Sequence, residues 1–129
     1  ISAEIMQETS NKNIHNFSLE LGSLDSVADF VTVFNKKFSR LDGLVNNAGV
    51  MNTPKQKTID GFELQFGVNF LGHFLLTELL LPKLKKAKKS RIVHTSSYLH
   101  EMSSIDLTDL NYETRKYSGW DAYNQSKLE

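Results

Sequence analysis

The sequence predicts an α/β fold in which helices pack on a parallel sheet. Three observations predict it: strand-like segments alternate with helical ones, the helical segments repeat apolar residues every three or four positions, and two strands run out into small polar turns. The 129 residues carry 15 Lys+Arg and 15 Asp+Glu, so the formal net charge is zero and nothing global steers the chain to nucleic acid. A hydrophobic share of 40% with 23% charge excludes a disordered chain. The absence of Cys excludes disulfides, thiolate catalysis and Cys-ligated zinc, and fits an intracellular, reducing compartment or the cytosolic face of a membrane.

The first eight or nine residues read as the tail of a helix closed by Ser10-Asn-Lys-Asn13. Ile14 to Leu21 alternates as a short strand, stopped by Gly22-Ser23. Ser23 is placed to cap the next helix, whose Leu24, Val27, Ala28, Val31, Phe34 and Phe38 form one apolar face. Leu41 to Asn47 reads as a buried strand, and residues 48–59 as a loop marked by Gly49, Asn52 and Pro54. Asp60 followed by Glu63 resembles a capping box for a helix that carries Phe62, Phe66, Phe70 and Phe74 down one line. Pro82 perturbs that helix, and the basic run Lys83 to Arg91 returns the chain to the surface, complementing the helix dipole or touching lipid headgroups. Arg91 to Ser97 is a third strand, residues 98–119 a long loop, and a final helix begins near Gly119.

No run reaches the roughly 18 uninterrupted apolar residues of a membrane span, because His73, Thr77 and Glu78 interrupt the richest stretch. The first residues, Ile1 to Met6, lack the basic start and apolar core of a signal peptide. With no initiator Met and an end inside a helix, the chain reads as a fragment.

Asn46-Asn-Ala-Gly49 follows a strand directly. It is either an ordinary turn or a strand exit whose small residues let the backbone approach a ligand. Ser96-Ser97 closes the next strand in the same way, without the glycine frame of a nucleophile elbow. Tyr123 and Lys127 stand four apart, on one helical face. A phenol with a pKa near 10 must lose roughly 3 units to exchange protons usefully at pH 7, a cost of about 4 kcal/mol, and a cation about 5 Å away supplies roughly 3 kcal/mol of it. Tyr112 and Lys116 share that spacing but lie in a polar loop that would not align them. Ala122 and Ser126 are small enough for close contact between the helix and a cofactor. Asn69 sits in the most apolar helix and must find partners, as a satisfied core amide or as the holder of a relay water. The four His show no metal-ligand spacing, and no metal site is expected.

Taken together, Asn46-Asn-Ala-Gly49, Asn69, Ser97, Tyr123 and Lys127 resemble the short-chain dehydrogenase/reductase superfamily over nearly the whole chain. Asp60-Gly-Phe-Glu63, Val68-Asn-Phe-Leu-Gly-His-Phe74 and Ala122-Tyr-Asn-Gln-Ser-Lys-Leu128 are similar to its retinol dehydrogenase-like branch, as is the 26-residue step from Ser97 to Tyr123. The resemblance implies a doubly wound, Rossmann-like parallel sheet of order 3-2-1-4-5-6, of which the strands here would be 3, 4 and 5. Residues 1–129 would then be the central part of a single NAD(P)-binding domain, with an incomplete sheet.

The resemblance also implies roles. Tyr123 would be the general acid/base, Lys127 would support it and hold the nicotinamide ribose, and Ser97 would bind the substrate oxygen. Asn69 would hold a relay water, while Asn46, Ala48 and Gly49 would line the adenosine side. Glu20-Leu21 stands where the family has Asp-Leu reaching the adenine, and no Gly-x-x-x-Gly-x-Gly turn occurs in the chain. The implied activity is hydride transfer between NADP or NAD, with NADP favoured by the branch, and an alcohol, aldehyde or ketone of apolar character. A homodimer through helix 62–81 is expected from its excess apolar face and from family habit, and membrane contact would come through the basic run Lys83 to Arg91. Without its neighbouring strands the isolated segment is expected to be poorly stable and to bind no dinucleotide. The alternatives are a non-catalytic interaction or regulatory module, and an epimerase-like relative using the same Tyr and Lys.

Overall fold

The computed structural model describes residues 2–129. Two short strands form its sheet. β1 (Gly43–Asn46) pairs in parallel with β2 (Arg91–His94), in the register Gly43 to Arg91 through Asn46 to His94. One further ladder bond, Thr95 N–H to the Asn46 carbonyl at 2.9 Å, carries the pairing to the rim where both strands end. A parallel pair needs a crossover between its strands, and the helix Leu64–Leu84 supplies it.

Helix α1 (Ser2–Thr9) covers the predicted N-terminal helix, except for Ile1, which lies outside the described residues. Helix α2 (Leu24–Lys37) starts where the sequence places it, with the Ser23 hydroxyl accepting the Ser26 N–H. Val27 and Val31 on its inner face are buried against Leu76 and Leu80 of the crossover helix, α3 (Leu64–Leu84). Leu21 and Val68 complete this core, with Leu44 of the sheet packed beside it. The far end of α2 is held by Lys83, which donates through Nζ to the Phe38 carbonyl at 2.8 Å.

Residues 14–21 form no strand. A strand exists by laddering, and among the described residues no strand pairs with this segment. Its alternation is satisfied by packing instead: Phe17 meets Phe30 edge-on at 5.9 Å, and Leu21 enters the core. Val45 and Val93 are left 65% and 50% exposed on the sheet, as expected of a sheet with uncovered apolar surface.

The expected capping box is also rearranged. Glu63 is the N-cap of α3, its carboxylate accepting the Phe66 N–H at 2.7 Å. Asp60 reaches across instead and accepts the Leu24 N–H at 2.9 Å, tying the starts of two helices together. Inside α3, Gly67–Leu71 widens into a π-turn before α-geometry resumes, and Pro82 is tolerated in the last turn. With 21 residues and a mean hydropathy of 1.3, α3 is long and apolar enough to cross a membrane by length and composition. Half of that stretch is buried inside the protein, where Val68, Leu76 and Leu80 join the core with α2.

The 98–119 segment is folded. It opens with a 3₁₀ turn, Tyr98–Met102, and is then organised by Asp109. That carboxylate accepts the N–H groups of Glu113, Thr114 and Arg115. Burial opposes its charge, but these bonds outweigh burial and hold the carboxyl well below the usual range. Helix α4 (Gly119–Leu128) follows.

Candidate active site

Helix α4 carries the Tyr–Lys pair, and three neighbours set where it begins. The Ser118 hydroxyl accepts the Asp121 N–H, and Gln65 of α3 donates through Nε2 to the Gly119 carbonyl at 2.8 Å. A Cβ on Gly119 would lie 2.6 Å from Asn52 Oδ1 and 2.7 Å from the Thr53 carbonyl, so a glycine lets this first turn lie on the 52–53 backbone. Behind the helix, Arg115 donates to Gln125 Oε1 at 2.7 Å.

With α4 so placed, Tyr123 and Lys127 share a face, and the Lys127 ammonium sits 5.7 Å from the phenol ring centroid. The end of β2 grips the last turn from both sides. Lys127 Nζ donates to the Thr95 carbonyl at 3.0 Å, and Ser96 Oγ donates to the Lys127 carbonyl at 2.8 Å. The competing pair dissolves: Tyr112 lies in a turn with φ +53°, buried, where loss of solvent pushes its phenol up to about 12.

Asn69 joins the site to the core. Its Oδ1 accepts the Val50 N–H and its Nδ2 donates to the Val50 carbonyl, both at 2.9 Å. Nδ2 donates again to Ser126 Oγ at 2.8 Å, and the Ser126 hydroxyl donates in turn to the Tyr123 carbonyl. Both Nδ2 hydrogens and one Oδ1 lone pair are thereby engaged by protein groups. The Asn69 backbone carbonyl accepts from His73 Nδ1 at 2.9 Å. Burial lowers the His73 pKa from its ordinary value, consistent with a neutral ring that donates there.

Asn47, Gly49, Met51, Ser96, Tyr123 and Lys127 line a cavity of about 170 Å³ at the rim. A larger cavity of about 470 Å³ between α3 and α4 shares Thr95, Ser96 and Lys127 but not Tyr123. Gly49 lines this cavity, and Ala48 is exposed beside it. A Cβ on Gly49 would meet Asn69 Oδ1 at 3.0 Å and Lys127 Nζ at 3.5 Å. Other expected residues are placed differently. Asn46 is buried, donating through Nδ2 to Thr77 Oγ1, so its side chain straps the sheet to α3. Glu20 folds back to accept the Gly22 N–H, and Leu21 is core. Ser97 caps the 3₁₀ turn, accepting the Leu99 N–H at 3.3 Å, and among the described residues it does not line the Tyr123 cavity.

Two parallel strands ending in small polar turns, with a Tyr–Lys helix clamped to them, agree with a match of residues 2–117 to the family model for short chain dehydrogenase. The chain belongs to the short chain dehydrogenase family. Its relatives are close. It is 51% identical to human (Homo sapiens) retinol dehydrogenase 13 over 125 residues, which is 97% of this chain and 38% of that protein. Human polyprenol dehydrogenase is 42% identical over 132 aligned residues, covering 99% of this chain and 40% of that protein. The chain thus spans well under half the length of these relatives. Among solved structures, an uncharacterized protein from Mycobacterium paratuberculosis superposes with a TM-score of 0.82 at 44% identity, over 98% of this chain and 44% of that one. The fold is further matched by a short chain dehydrogenase structure from Escherichia coli CFT073 complexed with NADPH, at a TM-score of 0.72 and 24% identity, over 98% of this chain and 49% of that one.

Within this short chain dehydrogenase framework, the sequence did not assign Ser126 to Asn69. It read Ser126 as a small residue facing a cofactor, whereas the side chain is 5% exposed and turned to α3. Nor did it assign the Thr95 carbonyl, because a backbone acceptor leaves no trace in residue identity.

Proposed function

We propose that this chain is the central part, residues 1–129, of a dinucleotide-binding oxidoreductase domain that moves a hydride between NADP or NAD and an apolar alcohol, aldehyde or ketone. The observation that carries this reading is Tyr123 held beside Lys127, with Lys127 anchored 3.0 Å from the Thr95 carbonyl at the sheet rim. The names of its relatives, retinol and polyprenol dehydrogenases, support an apolar substrate.

The rim fits a nicotinamide ribose. It offers an ammonium on Lys127, hydroxyls on Thr95 and Ser96, and the unhindered backbone of Ala48 and Gly49, with about 170 Å³ of space beside Tyr123. When bound, the nicotinamide supplies or takes the hydride. Tyr123 gives its phenolic proton to a carbonyl oxygen, or takes the proton of an alcohol. Lys127 supports that transfer by its charge. Ser97, at the mouth of the 98–119 segment, supplies a hydroxyl to the substrate oxygen. Asn69 acts by its grip on Val50 and Ser126, which fixes the rim to α4.

The homodimer belongs to the same reading. Phe74 and Leu79 are 55% and 37% exposed on a helix whose other apolar residues are largely covered, which favours contact between two copies through α3. Sedimentation of a monomer at micromolar concentration would count against it.

The reaction is tested with Tyr123→Phe in the full-length protein. Loss of the proton donor is expected to lower turnover of an apolar aldehyde by about 10² to 10⁴ while cofactor affinity is retained. Equal turnover in both proteins would instead favour a non-catalytic module.

A further inference from the structure

Trp120 is the one tryptophan of the sequence. It lies three residues before Tyr123 and seven before Lys127, so α4 places all three on one face. The indole meets the Tyr123 phenol edge-on, with ring centroids 6.5 Å apart at 86°. Yet it is 47% exposed. On the cavity side of the same phenol, Met51 is 56% exposed. Large apolar side chains this open stand to gain by being covered, and these two flank the proposed proton donor.

The indole is not what starts the helix. Ser118 caps it, Gln65 holds the Gly119 carbonyl, and Gly119 itself lies on the 52–53 backbone. The backbone therefore positions Trp120, leaving its side chain free for another use. Replacement of the side chain should leave α4 folded.

We propose that Trp120 is the specificity-determining residue of this site, the wall on which the apolar part of a substrate lies while its oxygen meets Tyr123. The inference rests on the reading of Tyr123 as the proton donor. The substrate it selects carries an apolar chain that runs on from the carbinol or carbonyl carbon far enough to lie across the indole. A substrate with hydroxyls there would have to strip them of water against the indole without regaining hydrogen bonds.

The test uses the full-length protein with decanal and propanal as aldehydes and NADPH as reductant. The quantity read is the ratio of kcat/KM for decanal to that for propanal. Trp120→Ala is expected to lower the ratio by about 10-fold, the scale of losing an apolar contact, and Trp120→Phe to restore most of it. Circular dichroism and the KM for NADPH establish that each variant is folded. Equal losses on both aldehydes would overturn the proposal.

Decanol titrated into the protein gives a readout independent of turnover, with Trp120→Phe as the fluorescence blank. A blue shift of the Trp120 emission is expected. A folded, active enzyme whose Trp120 emission ignores decanol would also refute the wall. If the emission shifts but no aldehyde is reduced, the apolar wall stands and the hydride-transfer reading fails.

Discussion

Replacing Asn69 with Ala removes three hydrogen bonds at once: two with the Val50 peptide at 2.9 Å and one to Ser126 at 2.8 Å. Each such bond contributes about 1 kcal/mol net, so the variant should lose about 3 kcal/mol, a large share of the ~5–15 kcal/mol typical of a folded domain. Asn69 is 8% exposed and Ser126 5%, so solvent is poorly placed to replace the bond between them, while half-buried Val50 can recover some of its loss. Urea denaturation read by circular dichroism measures the change as a lowered midpoint at constant slope. A cycle with Ser126→Ala should return a coupling of about 1 kcal/mol between the two positions. A loss below about 1 kcal/mol in Asn69→Ala, with no coupling to Ser126, would refute the idea that this side chain ties the rim to α4.

Further outcomes follow from neighbouring contacts. Gly49→Ala places a Cβ 3.0 Å from an Asn69 Oδ1 that its own bonds hold still, and should cost about 1–2 kcal/mol, checked by the same denaturation. His73 has its pKa lowered by burial, so the unfolded chain binds the proton more readily than the folded one does. Stability is then fully present above the ordinary value of 6.5 and falls as pH drops through it, levelling below the lowered folded value; His73→Gln should flatten that part of the profile. Asp109→Asn loses the charge that gathers three backbone N–H groups, and should speed proteolysis within residues 98–119 relative to the parent.

The elements that were legible are those whose signals are local. Ser23 caps α2 because a hydroxyl before an apolar 3–4 repeat has a partner within three residues, and the Tyr–Lys spacing discriminates because Tyr112 lies in a turn while Tyr123 lies on a helix. The signals that failed were those completed by something distant. Ile14 to Leu21 alternates as a strand should, but alternation specifies only which side chains face inward; the ladder must come from a neighbour, and here the apolar set is absorbed by α2 and α3. Asp60 and Glu63 have the composition of a capping box, yet Asp60 found the Leu24 N–H, 36 residues away in sequence. Asn69 was recognisable as a buried amide needing partners, and nothing local in the sequence points to Val50 and Ser126 as those partners.

The same distinction explains why the site depends on the core helix as much as on α4. The Gly67–Leu71 π-turn interrupts the regular ladder of α3 at the point where Asn69 must face both Val50 and Ser126. Gly72, at the end of that turn, brings α3 onto Leu21 so closely that a Cβ would overlap the Leu21 carbonyl. A glycine within a helix costs about 1 kcal/mol against Ala, and the three Asn69 bonds made from this stretch contribute about 3 kcal/mol. Helix α4 is then held from α3 at both ends, by Gln65 on Gly119 and by Asn69 on Ser126. Tyr123 and Lys127 lie between and beside these anchors. Their alignment with the strand rim is set by polar side chains reaching out of the buried face of α3, which is why an apolar helix carries Gln65 and Asn69 on that face.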